Sequence, residues 1–533
     1  MAAAALIPPE SSIGKLSQSP ANAEADRRTP QSLLHFANLN QPQRHQYTSL
    51  NDLAKRKRFA FLDTRQIRDI RDAELRFHTA EKHGGPVLVA RPGREEGVSV
   101  YGSVLHDGER FRMWYQSLTS GSRRGNPYAV AYAESTDGVQ WDRPELGIVE
   151  ENGSRKNNLV KLRGHGPSVM DLGPDAPPDK RFLGIAVGYT PILGVPEVLE
   201  HEVTRKHHGY WMYYSADGID WRVYPSPDCA IFHHMSDTAC FIYDPYRQRV
   251  IGSVKLEPRV RLFDRRSVTI STAATDNLTE WEPPRLAVFP DELDDRMAVE
   301  RGCRFAEFYG MGLFAQRDYL IGFPEVYWVE GELHPSQSAG IRLGFHGKAE
   351  IQMAYSFDGF AWHRTVPRKP FIPLGRTGDW DDGFLTMQSS TVEVGDEVFC
   401  YYTGIRGGHS NKAGTDHPAI GLAKIKRDRF ASIASEARGM VEVYHGRPAG
   451  RQLVVNGRTG RDGDIRIELR RPGGKGSAPV PGFTATECTP IRGDNVRLGV
   501  TWQARSWNDL SPDENLVIRF HLTNAEVFAY EVT

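Results

Sequence analysis

Four carboxylates in this chain stand near the start or end of strand-like runs, close to imidazole, hydroxyl or guanidinium groups. Asp237 lies in His-His-Met-Ser-Asp-Thr (233–238), beside His233 and His234, and Glu307 stands two residues before Tyr309-Gly310, as Ser99 stands before Tyr101-Gly102. Asp171 follows Pro-Ser-Val-Met (167–170), and Glu96 lies in Arg-Glu-Glu-Gly (94–97). Carboxyls that converge on one cavity raise one another's pKa, so one keeps its proton near neutral pH while its neighbour stays ionised. General acid–base chemistry needs such a pair. Each acid also has a structural reading: Asp237 as a turn cap, Glu307 as a partner of Arg301 or Arg304, Asp171 as a turn residue, Glu96 as a solvated side chain. We expect His165, Tyr101, Arg259, Arg261, Asp382 and His409 to line the same cavity and bind substrate. Arg259 and Arg261 could grip a carboxylate or phosphate, and Asp382 precedes a strand in Gly-Asp-Trp-Asp-Asp-Gly (378–383).

The elements that must position these groups are legible from a repeat. Ala-Glu-Ser-Thr-Asp-Gly-Val-Gln-Trp (133–141), Tyr-Ser-Ala-Asp-Gly-Ile-Asp-Trp (214–221), Ser-Thr-Ala-Ala-Thr-Asp-Asn-Leu-Thr-Glu-Trp (271–281) and Tyr-Ser-Phe-Asp-Gly-Phe-Ala-Trp (355–362) share one pattern. A repeated unit of this size cannot bury its own apolar face and must stack on its neighbours. Asp-Gly between β-runs suits a two-residue hairpin whose central residues both take positive φ, with Asp137, Asp217 and Asp358 as turn formers. Apolar strands precede each copy, and a fifth copy shows Ala-Ile-Gly-Leu-Ala-Lys-Ile (419–425) in place of the Asp-Gly turn. The pattern predicts an all-β chain: a five-bladed β-propeller over residues 85–440, then a C-terminal β-sandwich over 441–533. Residues 1–84 are expected to form a tail and a short helical arm through Leu53, Phe59, Phe61 and Ile67.

Composition narrows the function classes. The 533 residues carry 66 Lys and Arg against 67 Asp and Glu, a formal net charge of −1, which gives no reason to expect nucleic acid or an anionic membrane as partner. Five cysteines without a CxxC pair, and His201, His207 and His208 without helical zinc spacing, argue against a transition-metal site. No cofactor is expected. The N-terminus lacks a basic region followed by an apolar one, so a soluble cytoplasmic protein is expected.

The Ser-x-Asp-Gly-x-x-Trp repeat, the segment Tyr-Gly-Ser-Val-Leu-His-Asp-Gly-Glu-Arg-Phe-Arg-Met-Trp-Tyr-Gln (101–116) and Ile-Gly-Leu-Ala-Lys-Ile-Lys-Arg-Asp-Arg-Phe-Ala-Ser-Ile (420–433) carry a resemblance. From about residue 85 onward the chain resembles the five-bladed-propeller glycoside hydrolases of families 32, 43 and 68, closest to family 32-like bacterial proteins. The resemblance implies three carboxylates on the innermost strands of the first three blades, serving an oxocarbenium-like transition state as nucleophile or base, stabiliser and general acid. The third position matches Asp237. The first falls near Val100, and the second reads Gly166-Pro167 where the family has Asp-Pro. The expected function is therefore hydrolysis of a glycosidic bond at a small sugar or oligosaccharide end, with a furanoside as one candidate. The alternatives are a glycoside phosphorylase and a propeller that binds carbohydrate without cleaving it. A sialidase-type propeller is disfavoured, because its turns carry an extra residue between Asp and Gly.

Overall fold

A computed structural model of the chain describes residues 58–62, 64, 67–119, 128–151, 153–188, 209–224, 230–231, 237–256, 265–330, 346–409, 417–447, 450–473, 476–511 and 514–533. It is nearly all β, with one α-helix, Glu292–Glu300, among the described residues.

Short antiparallel runs of strands follow one another along the chain. The first holds Glu95–His106, Phe111–Thr119, Tyr128–Ser135 and Leu159–Arg163; the second holds His165–Asp171, Phe182–Gly188, Gly209–Ser215 and Arg222–Val223, with Ala230–Ile231 on its third strand. The third holds Ala239–Asp244, Arg249–Leu256, Ser267–Ala274 and Arg285–Val288. A ten-stranded sheet contains the remaining two runs, one opening with Phe305–Ala315 and Leu320–Val329, the other with Phe384–Met387 and Glu397–Ile405. The third strand of this last run, Ala419–Lys426, pairs with Glu81–Leu88 from the other end of the chain. That pairing explains the missing Asp-Gly turn in the fifth copy: its outermost strand arrives from more than 300 residues upstream, starting before the expected boundary at residue 85.

Each run packs its apolar face on the next. Trp114, Tyr132 and Leu162 meet Val169, Phe182 and Trp221; Leu183 and Met212 meet Phe241 and Val250; Ile251 and Ile270 meet Phe308 and Leu313. Ile321 and Phe323 meet Leu385 and Met387, and Phe399 and Tyr401 return to Val98 and Met113 of the first run. The leading strands follow the same cyclic order through hydrogen bonds. Val169 N donates to Ser103 Oγ at 2.8 Å, Phe241 N to Ser168 Oγ at 3.0 Å, Leu313 N to Ser389 O at 2.9 Å and Ser389 N to Gly102 O at 2.9 Å. Ser168 Oγ lies 2.8 Å from Ser389 Oγ. Small hydroxyls therefore fill the space between the leading strands a few residues in from their N-terminal ends.

The repeat turns differ from the expected two-residue hairpin. Only the glycine takes positive φ (Gly138 +74°, Gly218 +78°, Gly359 +87°). Each aspartate instead folds its carboxylate back on the loop. Asp137 Oδ1 accepts from the Val139 and Gln140 N–H groups at 2.8 Å each, and Asp217 and Asp358 do the same with their own i+2 and i+3 amides. A side chain that accepts from two loop amides satisfies donors that a longer turn would otherwise leave without a backbone partner.

The expected helical arm is replaced by strands where it is described: Arg58–Ala60, Ile67–Arg71 and Glu74–Phe77. Phe59 and Phe61 alternate at strand spacing and bury themselves against Phe520 and Tyr530, so tertiary burial overrides the charged local composition. These strands join an eight-stranded sheet built on Ala431–Gly446, Leu453–Gly473 and Leu516–Val532. Register slips at Ser435/Arg438 and Thr459/Asp464 bend the long strands around a core of Ile433, Ile467, Trp502 and Phe520. The first of the three crosses residue 441, so the boundary expected there falls inside a strand.

Candidate active site

Two bulges aim side chains at the space between the leading strands. On Glu95–His106 the pairing jumps from Ser99 to Ser103, leaving Val100, Tyr101 and Gly102 out of register. On Phe305–Ala315 it jumps from Phe308 to Met311, leaving Tyr309 and Gly310 opposite Glu325. A bulge re-aims the side chain it carries, and both carry a Tyr-Gly pair. The glycine is needed for space: a Cβ on Gly102 would fall 2.0 Å from Trp114 O, and one on Gly310 would fall 2.7 Å from Glu325 Oε2.

The side chains of this region form a connected cluster. The Tyr101 and His165 rings meet edge to face at 5.4 Å. Lys255 Nζ is 2.8 Å from Asp237 Oδ1 and 4.0 Å from the centre of the Tyr309 ring. Tyr309 Oη hydrogen-bonds His409 Nε2 at 2.8 Å, and its ring meets Tyr327 and Phe384 edge to face. The Arg266 guanidinium lies 5.3 Å from the Tyr309 ring centre and 3.4 Å from Glu307 Oε2. Members come from all five runs.

Charge within the cluster is graded. Asp237 is 44% exposed, while the Lys255 that holds it is 1% exposed. Burial pulls the His165 imidazole down to about 4, with Lys255 adding to the effect and Asp237 opposing it, so the ring is neutral at pH 7. Burial pushes the Glu325 carboxyl up to about 8, against the Met387 N–H and Lys255. Glu325 is fully buried; its Oε1 accepts from Met387 N at 2.8 Å, and its Oε2 has no hydrogen-bond partner among the described residues. At neutral pH this region therefore holds a protonated carboxyl near a solvent-facing carboxylate that is paired to an ammonium.

The expected site residues separate into groups. Tyr101, His165, Asp237 and His409 come together. Glu307 is fully buried one layer behind, accepting from Arg266 N at 3.2 Å and from its guanidinium, which in turn faces Tyr309. Asp382 is a staple rather than a lining group: it accepts from Gly378 N at 2.7 Å and Gly407 N at 2.9 Å. Burial pushes its pKa up, but those amides together with Lys348 and Arg406 outweigh burial and hold it below the ordinary value.

Two expected acids do not join the cluster. Asp171 pairs with Phe182 at the far end of its strand, roughly 20 Å from His165 at 3.3 Å per residue, and salt-bridges Arg181 at 2.9 Å. Glu96 is exposed; its neighbour Glu95 is the buried one, bound to Tyr115, Ser117 and Arg143. Strand alternation puts adjacent residues on opposite faces, and the apolar face took Glu95. Arg259 and Arg261 lie outside the described residues.

Lys255 and Glu325 were not among the expected residues. Each is the one charged residue inside a second-strand apolar run, Val-Ile-Gly-Ser-Val-Lys-Leu (250–256) and Leu-Ile-Gly-Phe-Pro-Glu-Val-Tyr-Trp-Val (320–329). That pattern was the available signal, since a charge in such a run is seldom tolerated without a partner or a purpose.

No protein-family model matches the chain, and no curated protein matches it in sequence. Among solved structures, a glycosyl hydrolase from Bacteroides ovatus is similar at TM-score 0.40 and 13% identity, over 66% of this chain and 95% of that one. A structure from a study of the GH130 family of mannoside phosphorylases, said to contain glycoside hydrolases that target beta-1,2 mannosidic linkages in Candida mannan, gives 0.40 and 13% over 66% and 94%. The catalytic domain of the Coprinopsis cinerea GH62 alpha-L-arabinofuranosidase gives 0.38 and 11% over 66% and 98%. None of the three assigns a role to a residue of this chain.

Proposed function

We propose that this chain is a carbohydrate-active enzyme that hydrolyses a glycosidic bond at the end of a small sugar or oligosaccharide. Its five successive runs act as the blades of a β-propeller, and the bent C-terminal sheet serves as a sandwich-like companion. One observation carries the reading: two carboxyls of opposite character share a cluster of rings and basic groups. Glu325 is desolvated and keeps a proton, whereas Asp237 faces solvent on a buried lysine. Environments that split two carboxyls in this way mark an acid and its partner.

In the proposed reaction the seated sugar displaces the side chains that cover Glu325, which is fully buried in the free chain, and Glu325 then gives its proton to the glycosidic oxygen as the bond from that oxygen to the anomeric carbon breaks. Asp237 meets the positive charge that develops there, as base to an attacking water or as nucleophile. Lys255 keeps Asp237 in place, and Tyr101, His165, Tyr309 and His409 offer ring faces and hydrogen-bonding edges to the sugar. Glu307 acts behind them by orienting Arg266.

The test is a screen of aryl glycosides and oligosaccharides with the full chain and with Asp237→Asn and Glu325→Gln. We expect turnover by the unsubstituted chain and loss of about a hundredfold or more in each variant, the scale of a missing acid or base. Turnover that appears only with added inorganic phosphate would assign a phosphorylase instead, since Lys255, Arg266 and His409 supply basic groups in the same place. Binding without product would make it a sugar-binding propeller.

A further inference from the structure

A groove of about 300 Å³ opens beside the cluster, lined by Pro86, Val89, Ala90, Trp380, Arg406, His417, Pro418 and Ala419. The pairing register places it. Phe384 pairs with Ile405, Gly404 with Ala419 and Ile420 with Leu88, so the lining residues gather at one end of the fifth run. Phe384 is at that same end, and its ring packs on Tyr309 and His409. The groove thus lies outward from the Asp237 cluster on one shared face.

We infer that this groove is a second sugar-ring site, holding distal rings of the chain whose reacting end lies at Asp237, and that the substrate is an oligosaccharide rather than a simple glycoside. The inference rests on the reading of the Asp237 site given above. Pyranose and furanose rings present an apolar C–H face bordered by hydroxyls, and the lining matches that chemistry. An indole and a proline- and alanine-rich wall supply the apolar face, while Arg406 and His417, both exposed, supply polar groups at the rim.

The platform is held before any ligand arrives, which lowers the ordering cost of binding. Trp380 stacks on Tyr402 at 5.7 Å and 21°. Tyr402 donates to Asp381 at 2.9 Å, and Lys82 donates to the same carboxylate oxygen at 2.7 Å. The indole lies over Gly404 and Gly421, where added Cβ atoms would come within 2.4 Å and 2.7 Å of it.

The link between groove and cluster is also rigid. Arg406 in the groove and His409 on Tyr309 are three residues apart, at most about 11 Å between Cα atoms. The turn between them needs its glycines, at φ +77° for Gly407 and +119° for Gly408. Asp382 accepts from Gly407 N at 2.9 Å, and His409 N donates to Gly347 O at 3.0 Å. One oligosaccharide can span that distance.

The test is calorimetric titration of the full chain carrying Asp237→Asn with the arabinose, mannose and fructose oligosaccharide series, from disaccharide to hexasaccharide. Two groove variants are added separately: Trp380→Ala, and Val89→Trp, which fills the groove from a position 52% exposed and leaves the Trp380 packing intact. For the series that binds, both variants should weaken the hexasaccharide by about tenfold or more and the disaccharide by less than about twofold. Losses equal at all lengths, or none in Val89→Trp, overturn the inference. Hydrolysis by the unsubstituted chain that ignores both groove variants removes the groove and keeps the Asp237 reading. A length-selective loss without any hydrolysis removes the Asp237 reading and keeps the groove as a sugar site. Absence of binding by every series overturns both.

Discussion

Lys255 Nζ stands 2.8 Å from Asp237 Oδ1, and the two differ sharply in exposure: the lysine is 1% exposed and the aspartate 44%. A buried ammonium with a solvent-facing partner is costly as a stability device, because the exposed half of the pair is screened while the buried half has lost its hydration. The arrangement makes more sense as a way of fixing a carboxylate at the edge of a cavity. Lys255→Met should therefore lower turnover by at least about tenfold while changing the free energy of unfolding by no more than about 2 kcal/mol. Steady-state kinetics and urea unfolding check the two halves of that statement.

Glu325 makes the fold sensitive to pH. Its carboxyl is raised from 4.5 to about 8 in the folded chain. A raised folded-state value means that the folded chain holds a proton the unfolded chain releases. The stability contributed by the protonated form is fully present below about pH 4.5 and is lost as pH rises through about 8. Over that window this group lowers stability by on the order of 1 kcal/mol per pH unit. Glu325→Gln should flatten this part of the curve, as read by denaturant unfolding at a series of pH values. An unchanged slope would show that the carboxyl is ionised throughout.

Gly310→Ala tests the bulge that makes room for this acid. The added Cβ would lie 2.7 Å from Glu325 Oε2 and 3.1 Å from Thr238 Cγ2, so the carboxyl or the strand must shift. A stability loss of about 1–3 kcal/mol is expected. Turnover should fall together with the stability slope assigned to Glu325.

Asp171→Asn and Glu96→Gln are the matching controls. Asp171 is engaged with Arg181 far along its strand, and Glu96 faces solvent. Both variants should keep turnover within about twofold of the unsubstituted chain, the range of changes that remove no transition-state contact.

Sequence reasoning reached the all-β character and the succession of similar strand runs because turn chemistry is local. Ser-x-Asp-Gly-x-x-Trp states its loop in a few residues, and alternating apolar runs state the strands. Asp237 stood out for the same reason, as an acid just before a leading strand, and the fold brings it beside Lys255 and the Tyr309 ring. Sequence reasoning missed the outermost strand Glu81–Leu88, whose partner Ala419–Lys426 is distant in sequence, and nothing in either segment names the other. It read Phe59 and Phe61 as part of a helix because charged neighbours masked their two-residue spacing. Lys255 and Glu325 are not legible in this way, because they sit on second strands, and Glu325 fits against the cluster only through the bulge and missing Cβ at Gly310. Bulges arise from register between strands, a property of pairs that single segments do not display.

The central claim is that Asp237 is the carboxylate that works on substrate, and Asp237→Asn tests it most directly. Turnover of whichever glycoside the unsubstituted chain cleaves should fall about a hundredfold or more in a chain that still folds cooperatively, with a lowered unfolding midpoint because the substitution removes the charge that the 1%-exposed Lys255 ammonium faces. Turnover that survives this substitution in a fully folded protein would contradict the account.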